Sequence, residues 1–122
     1  MKYLTHQEKV AVMKILLDIM RADDIIDSRE EAFFAHVSTI IDLSDVPLPE
    51  IEAFNSLIAL TIIRDFSPEQ KADFARLMGG MIVADADINY NEVKIYDVVN
   101  EFCGINADFD SDELLHSSDF VI

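Results

Sequence analysis

Ala84-Asp85-Ala86-Asp87-Ile88-Asn89-Tyr90-Asn91-Glu92 stands 62 positions after Ala22-Asp23-Asp24-Ile25-Ile26-Asp27-Ser28-Arg29-Glu30. Both stretches read A-D-x-x-I-x-x-x-E. In both, one apolar helical pattern stops just before the motif and another begins inside it. Laying residues 5–43 over 67–105 without a gap gives six identities in 39 positions: Lys9/Lys71, Ala22/Ala84, Asp23/Asp85, Ile26/Ile88, Glu30/Glu92 and Val37/Val99. Chance would supply about two or three at ordinary residue frequencies. The expectation is an all-α fold of five to six helices, built from a duplicated helix–loop–helix unit with pseudo-two-fold symmetry.

Working outward, the helix boundaries follow from local chemistry. Thr5-His6-Gln7-Glu8 fits a capping box, and Val10, Met13, Leu16, Leu17 and Met20 recur at helical spacing, giving a helix over 6 to about 22. Asp27 to Glu30 opens a second helix in the same way, with Phe33, Phe34, Val37, Ile40 and Ile41 on one stripe. Pro47 and Pro49 mark a connection. A third helix is expected from there to about Arg64, carrying Ile51, Phe54, Leu57, Ile58, Thr61 and Ile62 and largely buried. Ser67-Pro68-Glu69-Gln70 is another capping box, followed by Phe74, Leu77, Met78, Met81 and Ile82. Asn89 to Glu92 starts the next helix, with Ile95, Tyr96, Val99 and Phe102 inward and Gly104 as a left-handed terminator. A short helix from Ser111 to about Ser117 echoes the start of the third. The chain reads as one domain, with unit one over 5–64 and unit two over 67–117. Phe33, Phe34, Phe54, Leu77, Met78, Ile82, Ile95 and Val99 are expected in one core, and Phe120-Val121-Ile122 to pack on the domain or on a neighbouring subunit.

Composition limits the function. The 122 residues hold 24 acids against nine Lys and Arg, a net charge of −15. A nucleic-acid backbone is repelled by such a surface, whereas cations, basic peptides and basic protein faces are compatible with it. No apolar run reaches the ~18 residues of a membrane span. The opening Met1-Lys2-Tyr3-Leu4-Thr5-His6 has no leader pattern, and the single Cys103 forms no internal disulfide, so the expected compartment is cytoplasmic.

The motif has two chemistries. As architecture, Asp27 and Asn89 are N-caps, and Glu30 and Glu92 are the capping-box glutamates three residues on. Asp23 and Asp85 are left over, each a carboxylate facing the negative end of a helix. As a cation site, Asp85, Asp87, Asn89 and Asn91 match alternate ligand positions of a calcium loop. Tyr90, however, stands where an EF-hand needs Gly, and Tyr96 where it needs a bidentate Glu, so the loop is not an EF-hand.

The duplicated motif, at the junction of two amphipathic helices in an acidic helical domain, resembles the TerB-like family, named for a tellurite-resistance protein. Family members usually carry A-D-G, and this chain has Asp24 and Ala86 where that Gly stands. The resemblance spans roughly residues 5–105. It implies an all-α fold, no established catalysis, a stress-response association and an acidic surface proposed to hold a divalent cation through Asp23, Glu30, Asp85 and Glu92. Asp27 and Asp87 are neighbouring oxygen donors, and calcium or magnesium is the ion such donors suit.

Other constellations are thin. His6, His36 and His116 share no ligand spacing with one another or with Cys103, and the methionines fall on inward faces. Gly79-Gly80 has neither the preceding strand nor the following Lys of a phosphate loop. The expected function is a non-enzymatic acidic module with a divalent-cation site at Asp23, Asp27, Glu30, Asp85, Asp87 and Glu92. The alternative is a protein-binding helical adaptor without a metal, and a metal-dependent hydrolase is the third reading. The expected state is a monomer or a homodimer.

Overall fold

The computed structural model describes residues 4–22, 27–43, 46–84 and 89–105. Among them are six helices and no strand: α1 (His6–Met20), α2 (Ser28–Ile40), α3 (Leu48–Ala53), α4 (Ser56–Arg64), α5 (Pro68–Val83) and α6 (Tyr90–Cys103). The chain is all-α, as its periodicity implies. The expected helix from Ser111 and the closing Phe120-Val121-Ile122 lie outside the described residues.

Helix starts follow the side chains that satisfy their orphan amides. Thr5 Oγ1 accepts from the Glu8 amide at 3.2 Å, and the Glu8 carboxylate accepts from the Thr5 amide at 2.8 Å. Ser67 and Gln70 repeat the exchange at 3.1 and 2.9 Å, with Pro68 at the first helical position. Helix ends match as well. Asp42 and Gly104 both take left-handed backbones, with φ of 59° and 65°. After the first, Leu43 N–H donates to the Ser38 carbonyl at 2.8 Å and Asp42 N–H to Thr39 at 3.1 Å. After the second, Ile105 N–H donates to Asn100 at 3.0 Å and Gly104 N–H to Glu101 at 3.3 Å. These are two Schellman closures, at positions 62 apart in the sequence.

The long third helix expected from the apolar pattern is two helices. Phe54 and Asn55 leave the helical region at ψ of 141° and 127°. Asn55 Oδ1 then accepts from the Leu57 and Ile58 amides at 2.8 and 3.1 Å and starts α4 afresh. An asparagine that caps gains more than one that continues a helix.

The core is centred on α1, which packs against α2, α3, α4, α5 and α6. Its buried residues are not one stripe. Ala11, Val12, Ile15 and Ile19 are enclosed along with the expected Val10, Met13, Leu16, Leu17 and Met20. Such burial all round marks a central helix. Phe74, Met78, Met81, Ile82, Ile63 and Val99 close around it. Phe33, Phe34, Phe54, Leu77 and Ile95 are partly buried and packed against this cluster. Leu57 and Ile58, expected inside, stand 71% and 54% exposed, and Phe102 is also exposed. With its axis reset at Asn55, α4 turns Ala59 and Ile63 inward instead.

Candidate functional site

The repeated motif straddles the α1–α2 and α5–α6 junctions. Asp23, Asp85 and Asp87 lie outside the described residues. Asp27, Glu30 and Glu92 lie within them, and the three have unlike surroundings.

Asp27 is engaged on both oxygens. Oδ1 accepts from the Arg29 amide at 2.7 Å and from Arg29 Nε at 3.1 Å, and Oδ2 accepts from Arg29 Nη2 at 3.3 Å. The Arg29 side chain, then its backbone amide, holds the carboxyl below its ordinary value of 3.8. Asp27 therefore acts as an N-cap and ion-pair partner, and a cation would have to compete with Arg29 for it.

Glu30 and Glu92 are, among the described residues, the buried charged side chains, at 1% and 2% exposure. Helical spacing is the cause. Glu30 shares its face with Phe34 and Val37, and Glu92 shares its face with Tyr96, Val99 and Cys103. Val37, Tyr96, Val99 and Cys103 are buried. A capping glutamate usually stays in water, but these two sit on the core side of α2 and α6. Glu30 Oε1 accepts from the Asp27 amide at 3.3 Å, completing a capping box with Asp27. At the second junction, Asn89 Oδ1 accepts from the Asn91 and Glu92 amides at 2.8 and 3.3 Å. Burying a carboxylate costs several kcal/mol unless hydrogen bonds, a proton or a cation compensate. Sequence reading singled out both glutamates as caps and ligands but missed their burial, which depends on which face meets α1 and α5. Among the described residues, no three His, Cys, Asp or Glu side chains gather as a ligand set.

A second feature had no sequence signal. Ile15, Asp18 and Ala22 of the first helix and its end, Ser56 and Leu60 of α4, and a face of α6 line an open groove of about 660 Å³. The α6 face presents Asn91, Lys94, Ile95, Val98 and Val99 to it. Asp18 is held within the groove wall, accepting from Ser56 Oγ at 2.6 Å and lying 3.6 Å from Lys14 Nζ. Arg64 of α4 stands over the Phe102 ring of α6, 5.4 Å from its centroid, and the groove-lining Lys94 over Tyr90 at 5.5 Å. Sequence periodicity places such residues on helices but does not show which two helices leave a gap.

Of the remaining candidates, His116 lies outside the described residues, and Cys103 and His6 have partners within the protein. Cys103 is buried, its Sγ 3.5 Å from the Leu60 carbonyl, and desolvation pushes its thiol above the ordinary 9.0. His6 Nε2 lies 3.4 Å from Glu50 on the surface. No described helix is long and apolar enough to cross a membrane.

No protein-family model and no curated protein matches this sequence. A solved structure does. The crystal structure of a protein of unknown function from Porphyromonas gingivalis W83 superposes with a TM-score of 0.74 at 23% identity, covering 94% of this chain and 95% of that one. At that identity the likeness establishes the fold.

Proposed function

We propose that the protein is a non-enzymatic, TerB-like acidic module that binds a divalent cation at its duplicated motif. The observation that carries this reading is the burial of Glu30 and Glu92, three residues past the N-caps of α2 and α6. Two buried carboxylates at matching sequence positions, each four residues past a motif Ile, recur where the motif also supplies Asp and Asn oxygens. Calcium or magnesium would draw on Asp23 and Glu30 in the first loop and on Asp85, Asp87 and Glu92 in the second. The second is the tighter site, since Asp87, Asn89 and Asn91 add oxygens there, whereas Arg29 already occupies Asp27 in the first.

The adaptor reading rests on a different observation, the completed capping box of Asp27 and Glu30, which gives the first motif an architectural task. Thermal melts separate the two. An ion at a hundred times its dissociation constant stabilises the fold by about 2.7 kcal/mol. For a chain of this length that raises Tm by about 3–6 °C. Monovalent salt at matched ionic strength is the control, because a −15 protein gains from screening alone. The Asp85→Asn, Asp87→Asn variant loses the divalent-specific rise and keeps its helical spectrum. An equal rise in wild type and variant would leave the motif as helix capping and favour the adaptor.

A further inference from the structure

Three helices line the groove: Ile15 comes from α1, Leu60 from α4, and Ile95, Val98 and Val99 from α6. Its volume of about 660 Å³ lies within the ~300–1,000 Å³ of small-molecule sites. Like them, it combines a mostly apolar lining with a few polar side chains. Val98 is 58% exposed, so apolar surface there is still open to cover.

Two charged side chains reach the groove, in different states. Asp18 is already engaged, by the Ser56 hydroxyl at 2.6 Å and by Lys14 Nζ at 3.6 Å. Lys94 is exposed, and the ion pairs among the described residues join other side chains. Its Nζ stands over the exposed Tyr90 ring, a weak contact in water. The charge still open in the groove is therefore positive, on a chain of net charge −15. Lys94 and Val98 are one turn apart on α6, so the ammonium and the apolar surface follow each other along one helix face.

This pairing selects the ligand. One exposed ammonium in a −15 field holds a small inorganic anion poorly. An uncharged apolar molecule makes no use of Lys94. An unbranched alkyl chain ending in a carboxylate uses both features. We infer that the groove binds a single-chain aliphatic carboxylate, with its head group on Lys94 Nζ and its chain along Ile15, Leu60, Ile95, Val98 and Val99. Because the head gains little against the field of the whole protein, the chain supplies most of the affinity. Binding here does not require the cation at the repeated motif.

Calorimetric titration of the full chain with butyrate, hexanoate, octanoate and decanoate, each below its micelle concentration, tests this. Affinity rises about fourfold for each methylene buried, at one ligand per chain. Lys94→Glu, at an exposed position, weakens decanoate about fivefold and strengthens decylammonium. Val98→Ser weakens decanoate several-fold. Both variants keep the helical spectrum of the wild type. Absence of saturable decanoate binding overturns the proposal, as does an affinity independent of chain length. Decanoate binding that both variants leave unchanged also overturns it, since the chain would then sit elsewhere. Many ligands per chain with loss of the helical spectrum is detergent action and counts against it too. If Lys94→Glu itself loses the helical spectrum, Lys94→Gln replaces it, and decanoate binding undiminished by that change counts against the proposal.

Discussion

Asp42 and Gly104 end their helices with the same left-handed backbone, but only glycine adopts it without steric cost. Exchange at the two positions therefore has opposite signs. Asp42→Gly stabilises the fold by roughly 0.5–1 kcal/mol, and Gly104→Ala destabilises it by about 1 kcal/mol. The second value is purely conformational, because a Cβ at Gly104 meets nothing within 4 Å. Urea midpoints at constant slope measure both. Cys103 is a second residue whose surroundings set a sign. Its folded-state thiol ionises above 9.0, so as pH rises past 9.0 the unfolded chain loses this proton first and stability falls. Cys103→Ala flattens that part of the decline, which a series of urea melts from neutral to alkaline pH reads directly. A slope shared by both proteins would place the decline on other groups.

At the scale of elements, the boundaries legible in the sequence were those closed by neighbours. Thr5 with Glu8, Ser67 with Gln70 and Asp27 with Glu30 are exchanges within four residues, and each forms as its spacing implies. The α3–α4 break was not legible. Ile51, Phe54, Leu57 and Ile58 continue the helical period across Asn55, and neither Gly nor Pro interrupts them. What decides the break is the Asn55 carbonyl oxygen on two amides of α4, together with the Ser56 hydroxyl on Asp18 of α1, a partner distant in sequence. Asn55→Ala removes the cap and costs about 1 kcal/mol by chemical denaturation. A neutral result would mean that packing on α1 alone fixes the break. The candidate site divides along the same line. Its residue types and spacing could be read from the repeat, whereas the burial of Glu30 and Glu92 and the groove beside Lys94 depend on how separate helices meet.

For the whole molecule, the consequential feature is α1, which packs against each of the other five described helices. The two halves of the sequence carry parallel caps and closures, but the packing is not two independent cores laid side by side. α1 belongs to the first half and is covered by α5 and α6 from the second as well as by its own neighbours. Cutting the chain between Arg64 and Ser67 would strip a central helix of part of its cover. Opening at the solvent edge of α4 or α6 can be local, but releasing the amides around Val12 and Leu16 requires all the surrounding helices to part. In hydrogen exchange, those amides report the global unfolding free energy, and the α1 interior becomes the slowest clock in the protein.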